Sequence, residues 1–238
     1  MVALATSDGE LWTEIVDSPR LSRDGLGVEA GPLHADGASL RVDLGPGLDV
    51  RFEDRREWPR RPFSPLGPAQ MIPFLGQYWS PWLLGARARG SFGTRTLDAH
   101  GYAEKNWGAV FAAHWWWGQA EFVAFAGGRV HGVAPTAVAV WTEDELVTLA
   151  PPLARTVARA GAGEWSIRAS SWRWNVELSG EAADALLLPV PIPRERRLEV
   201  RSRHHLLGRV EVTVRRGRRV WFRGESTMAA LEDGATPA

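Results

Sequence analysis

The sequence contains no cysteine, which excludes disulfide bonds, thiolate nucleophiles and thiolate-bound zinc. Lysine and tyrosine are scarce: Lys105 is the single lysine beside 27 arginines, and only Tyr78 and Tyr102 stand beside 13 tryptophans. No stretch is a candidate membrane span, because the most apolar one, residues 109–126, contains a histidine, a glutamine and a glutamate. The N-terminal residues lack the basic and apolar regions of a signal peptide, so we expect a cytoplasmic protein.

What the chain does contain indicates a folded protein. Its 238 residues, 45% hydrophobic and 24% charged, are enough for a sizeable apolar core. The many tryptophans favour large flat apolar walls with one polar edge each. The rare residue types crowd into one region of the sequence: Gln70, Gln77, Tyr78, Tyr102, Lys105, Asn106 and Gln119. Chance clustering is one explanation, and a region that carries chemistry is the other.

Alternation of apolar and polar residues predicts strands and gives an all-β fold class. The pattern is clear in residues 40–44, 47–53 and 210–214. Residues 215–218 are typical of a hairpin turn. Residues 164–178 read as one long strand, and the pattern changes parity near Ser170 and Ser171, as a β-bulge would require.

The segment from Tyr102 to Trp107 holds the first candidate for catalysis. As a strand it places Tyr102, Glu104 and Asn106 on one side and Lys105 and Trp107 on the other. A glutamate among tryptophans is poorly solvated, so its pKa rises unless a cation or several hydrogen bonds keep it ionised. Glu104 would then be a proton donor near neutral pH. A structural ion pair of Glu104 with Lys105 or an arginine is the alternative.

The segment from His114 to Phe125 reads as a second strand. One face would carry Trp115, Trp117, Gln119 and Glu121, a combination that suits an apolar pocket with a few oriented polar contacts. A core strand whose polar groups bond to the backbone is the alternative interpretation.

Charge is unevenly distributed although the formal net charge is zero. Residues 1–54 have a net charge of −7, and residues 194–223, with eleven arginines, have +8. The basic stretch is either a surface for anionic lipid headgroups or an acidic partner, or simply the solvated outside of strands. We expect no metal, because His204 and His205 would point to opposite faces of a strand. No cofactor-binding motif is found, and zero net charge argues against nucleic acid.

Several motifs together resemble the tocopherol cyclase-like family, which is similar to carotenoid 1,2-hydratases and lipocalin-like Diels-Alderases. The strongest is Gly-Tyr-x-Glu-Lys-Asn-Trp-Gly-x-x-Phe at 101–111, followed by Trp-x-Trp-x-Gln at 115–119. Weaker matches are Trp58-Pro59, residues 72–78, 204–208 and 224–232.

The resemblance implies two successive lipocalin-like β-barrels with an apolar cavity between or within them. We assign residues 1–92 to an N-terminal lipocalin-like domain and residues 93–238 to a C-terminal barrel. The family's Phe-Glu-Gly-Trp-Tyr motif is not found, so the first barrel is either truncated or completed in another way. Gln77-Tyr78-Trp79 and Gln119-Ala120-Glu121 also depart from the residues that many relatives carry.

The implied activity is acid-promoted cyclisation or hydration of a C=C bond in an apolar isoprenoid or polyene substrate. Glu104 is the first candidate acid, Glu121 the second, and Lys105 would set the charge state of Glu104. The expected substrate contacts are Tyr78, Tyr102, Asn106, Trp107, Trp115, Trp117 and Gln119. Two alternatives stay open: a Diels-Alderase-like cyclase that preorganises its substrate, and a carrier of hydrophobic ligands without catalysis.

Overall fold

The computed structural model describes residues 1–22, 27–59, 64–67, 71, 77–108, 112–129, 132–192 and 197–235. These residues form nineteen β-strands and no α-helix, which confirms the all-β prediction. The chain divides into two compact units: Met1–Arg60 with Pro81–Lys105, and Arg61–Ser80 with Asn106–Ala238. The predicted domain boundary at residues 92 and 93 lies at the turn between two strands and stays a prediction.

The first unit is built on an open, half-barrel sheet. Seven antiparallel strands follow one another in chain order from β3 to β9, and β1 and β2 pair separately. The strands are β1 (Val2–Ala5), β2 (Leu11–Glu14), β3 (Arg20–Leu21), β4 (Gly27–Ala30), β5 (Leu33–Asp36), β6 (Ser39–Val42), β7 (Leu48–Glu57), β8 (Gln77–Phe92) and β9 (Arg95–Gly108). Strands β8 and β9 have one end in each unit.

The core of the first unit follows the alternation seen in the sequence. Val2, Ala30 and Val42 are buried together, and Val50 is buried while Arg51 and Glu53 beside it are exposed. Because successive side chains of a strand point to opposite faces, this pattern buries one face of the sheet and leaves the other in water. The predicted strands at 40–44 and 47–53 are confirmed.

The second unit is a nearly closed barrel of nine antiparallel strands in the order β13-β12-β11-β10-β19-β18-β16-β15-β14, and β17 pairs with β18 beside this path. The strands are β10 (His114–Ala120), β11 (Val123–Arg129), β12 (Thr136–Trp141), β13 (Leu146–Leu149), β14 (Arg155–Gly161), β15 (Glu164–Ser170), β16 (Asn175–Glu181), β17 (Leu186–Ile192), β18 (Arg197–Arg216) and β19 (Arg219–Ala235). The barrel is open between β13 and β14, the two ends of this order. Near this gap, the Thr136 amide on β12 donates to Thr156 Oγ1 on β14 at 3.4 Å.

The interior of this barrel is filled by its own side chains. Phe125, Ile167, Val210, Val214 and Leu231 come from four different strands and expose none of their surface. A hollow inside the barrel would leave part of its lining accessible to a water-sized probe, and these five side chains have no accessible surface. The expected apolar cavity is therefore not found in this layer of the barrel, and the core there is solid.

The turns of the barrel correct one prediction and confirm another. Residues 164–178 are not one strand with a bulge: β15 and β16 form a hairpin. Its turn is closed by the Ser171 amide donating to the Trp174 carbonyl at 2.8 Å and by the Trp174 amide donating to Ser171 Oγ at 3.1 Å. A tight turn changes the parity of the pattern just as a bulge does. The predicted hairpin at 215–218 is confirmed, with Gly217 at φ +60° in its turn.

Candidate functional site

The strongest sequence motif lies on β9, in the first unit up to Lys105. Tyr102 and Glu104 are two residues apart and so share a face of the strand. The Tyr102 hydroxyl donates a hydrogen bond of 2.6 Å to Glu104 Oε2, and both side chains are half-buried. A carboxyl group bonded in this way has a fixed orientation. Lys105 points to the other face, where its Nζ donates to the Ser22 carbonyl at 3.4 Å.

The end of β9 belongs to the second unit and is more exposed. Trp107 is 46% exposed, and its indole stacks on the Tyr78 ring at 5.5 Å between centroids and 14° between planes. Asn106 is exposed as well. Stacked rings present one flat apolar surface, so Tyr78 and Trp107 form a platform to which an apolar ligand would adhere. Residues 72–76 and Phe111, which contribute to the family resemblance, lie outside the described residues.

Strand β10 separates its tryptophans between two faces. Trp116 points into the barrel core, where its Nε1 donates to Thr136 Oγ1 at 3.2 Å. Trp115, Trp117 and Gln119 share the opposite face, as expected from the sequence. Trp115 is 5% exposed, and the other two are half-buried.

The position of the Trp115 indole requires a glycine on the neighbouring strand, β19. Gly234 lies opposite Trp115, and a Cβ on Gly234 would come within 2.0 Å of the indole. The indole of Trp115 thus packs directly against the backbone of β19. On the same face, the Oε1 atom of Gln119 is buried and accepts no hydrogen bond from the described residues.

A buried carboxylate that sequence analysis did not select lies on this face. Glu232 is opposite Trp117 on one side and opposite His204 on the other. Its Oε1 accepts hydrogen bonds of 2.7 Å from Trp115 Nε1 and from Ser202 Oγ, and its Oε2 lies 3.3 Å from His204 Nε2. We call these four residues the Glu232 cluster.

The cluster stabilises the ionised form of Glu232. Burial raises the pKa of this carboxyl, but the hydrogen bond and charge of His204, with the hydrogen bonds from Ser202 and Trp115, outweigh burial. The pKa of Glu232 therefore lies below its ordinary value. The face that carries Trp115 and Trp117 consequently includes a fixed negative charge.

A second polar pair lies inside the barrel and consists of Asp233 on β19 and His205 on β18, the residues that follow Glu232 and His204. Asp233 is ion-paired with Arg203, and its Oδ1 lies 3.8 Å from Nε2 of His205. The His205 ring meets the Trp165 ring edge to face at 5.2 Å, and neither of its nitrogens has a hydrogen-bond partner among the described residues. His204 and His205 point to opposite faces, as expected from the sequence.

The second candidate acid has a different environment from the one expected. Residues 114–125 do not form one strand, because β10 ends at Ala120 and β11 starts at Val123. Glu121 lies in the turn between them and is exposed, so water surrounds its carboxylate. Trp115, Trp117 and Gln119 stay together on their face, and Glu121 does not continue it.

One sequence signal could have identified Glu232. Two acidic residues, Glu232 and Asp233, directly follow the apolar residues 229–231 at the end of the last predicted strand. Neighbouring residues of a strand point to opposite faces, so a strand buried on both faces has to bury both carboxylates. Buried carboxylates need partners, and His204 and Arg203 on the preceding strand are suitable ones.

The described part of the chain contains no group of three or more histidine, aspartate or glutamate side chains that could hold a metal ion. It also contains no helix that could cross a lipid bilayer.

Fold and sequence together define an all-β protein of lipocalin-like architecture with a carboxylate-bearing motif strand. The family model for tocopherol cyclase-like proteins matches residues 89–235, which is more than half of the chain. The protein therefore belongs to the tocopherol cyclase-like family, and the resemblance seen in the sequence is confirmed. Neither the curated proteins nor the solved structures compared with the chain include a match.

Proposed function

We propose that the protein is an enzyme that cyclises or hydrates an apolar isoprenoid or polyene substrate, with Glu104 as the proton donor. The carboxyl group of Glu104 transfers its proton to the less substituted carbon of a C=C bond, which leaves a carboxylate and a tertiary carbocation. An internal hydroxyl or a water oxygen then bonds to the cation. The proton lost from that oxygen restores the carboxyl group.

The observation that carries the proposal is the hydrogen bond of 2.6 Å between Tyr102 and Glu104. It holds a half-buried carboxyl group in one orientation, within the part of the chain that the family model matches. A general acid has to be positioned before it can act on a weak base such as an alkene. Glu121 is the less suitable donor because its side chain is exposed in a turn.

The other roles belong to the same proposal. Trp107 and Trp117 would contact the hydrocarbon, and their π faces would stabilise positive charge as it develops. Trp115, which is 5% exposed, would instead hold Glu232 in place beside Trp117. Tyr78, Tyr102 and Gln119 would orient the polar end of the substrate, and Lys105 would influence the charge of Glu104. The proposal keeps the cytoplasmic location expected from the sequence.

The test is product analysis after incubation with a panel of prenylated quinols and acyclic carotenoids. The wild-type protein should convert at least one of them, and Glu104→Gln should lower turnover at least about 100-fold, since general acids contribute about 10²–10⁴-fold. Binding of the same substrate, followed by quenching of tryptophan fluorescence, should persist in the variant, because glutamine keeps the shape of the side chain.

Glu121→Gln is the matched control, since it makes the same chemical change at an exposed carboxylate. Its turnover should equal that of the wild type. A turnover of Glu104→Gln equal to that of the wild type would contradict the role of Glu104 as the proton donor. Binding of panel members that all stay chemically unchanged would contradict the enzyme and favour the carrier alternative.

A further inference from the structure

The barrel of the second unit ends in two neighbouring turns that carry an unusual set of side chains. One turn joins β15 to β16 and the other joins β18 to β19. Pairing of Asn175 with Arg215 places the two turns side by side. We call their side chains the Trp–Arg tip: Trp172, Arg173, Trp174, Arg216, Arg218, Arg219 and Trp221.

The tip combines a rigid aromatic base with one free indole. Trp174 is buried and meets Trp221 edge to face at 5.7 Å. The guanidinium of Arg216 lies 5.8 Å from the ring of Trp174, and that of Arg219 lies 5.5 Å from the ring of Trp221. These contacts orient the two cations by cation–π attraction. Trp172, in contrast, is 95% exposed at the end of its turn.

Among the described residues, three of the four arginines in the tip have no acidic partner. Arg173 is paired with Glu145 at 3.1 Å. In the described residues, no carboxylate lies within 4.0 Å of Arg216, Arg218 or Arg219. The two turns contain no acidic residue, although the loop that provides Glu145 also has Glu143 and Asp144, both exposed. The unpaired positive charge is thus on the β18–β19 side of the tip.

We propose that the Trp–Arg tip docks on anionic phospholipid bilayers, with Trp172 at the level of the headgroups and Arg216, Arg218 and Arg219 against the lipid phosphates. Indoles favour the interface between hydrocarbon and water because they have an apolar body and one polar N–H group. Arginines near an anionic leaflet add electrostatic attraction. The proposal is independent of the proposed enzymatic function, since it is argued from a different part of the molecule.

The shape of the tip favours a membrane over nucleic acid. Proteins that bind single strands use a basic groove along the backbone and several stacking platforms. Here one exposed indole projects from a turn at the end of a barrel, while Trp174 is buried and Trp221 is half-buried against it. Projecting turns are the first part of a barrel to reach a flat surface.

Sedimentation with lipid vesicles tests the proposal on the full-length protein. Vesicles of phosphatidylcholine with about 30 mol% phosphatidylserine should bind it, and phosphatidylcholine alone should bind it much more weakly. Raising the salt from about 0.1 M to about 0.5 M should weaken binding, since screening shortens the range of the attraction. Trp172→Ala should weaken binding about tenfold. The triple variant R216A/R218A/R219A should weaken it at least about tenfold.

Two controls match these changes elsewhere on the barrel. The triple variant R129A/R159A/R209A removes three exposed arginines from β11, β14 and β18, and Leu207→Ala removes an exposed apolar side chain of β18, all several residues away from the two turns. Both should bind like the wild type. Equal binding of all variants, or no preference for phosphatidylserine, would overturn the proposal. Binding to a labelled oligothymidine but not to vesicles would overturn it in favour of nucleic acid.

Discussion

The indole Nε1 of Trp115 donates a hydrogen bond of 2.7 Å to the carboxylate of Glu232, which lies 117 residues further along the chain. The bond joins the first strand of the barrel, β10, to its last, β19. Because the bond to a charged acceptor is partly buried, it contributes more to stability than a typical neutral one. It also fixes a negative charge on the face that carries Trp117.

Glu232→Gln should lower the free energy of unfolding by about 2 kcal/mol at neutral pH, the usual size of a hydrogen-bond contribution to a charged group. The native pKa of Glu232 lies below the ordinary value of 4.5, so its contribution is complete above about that pH and disappears as the pH falls through the native pKa. The difference between wild type and variant should therefore shrink below about pH 4.5. Urea unfolding at a series of pH values measures it.

Glu225→Gln is the matched control for this prediction. Glu225 lies on the same strand but is exposed, where it pairs with Arg209 at 2.9 Å. Its replacement should change stability little at any pH, because exposed ion pairs contribute little. A Glu232→Gln difference that is independent of pH would show that the cluster does not act through the charge of Glu232.

Gly118→Ala should destabilise the second unit by about 1–3 kcal/mol, since it adds a methyl group to a filled core. A Cβ on Gly118 would come within 2.5 Å of the Phe125 ring and 2.6 Å of the Leu231 side chain. Thermal unfolding of the variant checks this. Val157→Ala, at an exposed position of β14, should leave the unfolding temperature nearly unchanged. An unchanged unfolding temperature in Gly118→Ala would mean that the barrel interior has room, contrary to its close packing.

Trp116→Ala and Trp117→Ala should affect different properties of the protein, although the two residues are neighbours in the sequence. Trp116 is buried in the barrel core, so its truncation should cost about 3–5 kcal/mol of stability. Trp117 is half-buried on the other face, so its truncation should lower turnover or substrate affinity with a smaller loss of stability. Urea unfolding and steady-state kinetics on both variants separate the two effects. If neither variant loses activity, Trp117 does not belong to the proposed site.

Tyr102→Phe should lower kcat by about tenfold, less than Glu104→Gln does, because it removes only the hydrogen bond that orients the carboxyl group. The acid itself remains in place, so the reaction products should be unchanged. Steady-state kinetics with any substrate that the wild type converts gives the comparison. Unchanged kcat in Tyr102→Phe would show that the phenol does not position Glu104.

Much of the fold could be predicted from alternation alone. Residues 40–44, 47–53 and 210–214 were correctly predicted as strands, because one buried face and one solvated face produce a period of two. The errors occurred at turns. Residues 171–174 and Glu121–Phe122 look continuous with their neighbours because tryptophan, arginine and phenylalanine are not typical turn residues, yet the chain reverses at both places.

The candidate site was predicted in part. The motif of β9 identified Tyr102 and Glu104 by sequence, and the face shared by Trp115 and Trp117 followed from their spacing. The Glu232 cluster was missed, because its members come from β10, β18 and β19. Spacing within one strand says which side chains share a face, but not which strand lies beside it.

By itself, the sequence determined the fold class, the family and the chemical inventory: strands from their period, kinship from the motif around Glu104, and no thiol chemistry. The tertiary structure alone decided which groups meet. It paired Trp115 with Glu232, filled the barrel core and brought the Trp–Arg tip together from two turns. The reason is that strand pairing joins residues far apart in the chain, and only that pairing determines which charges are buried with partners and which stay in water.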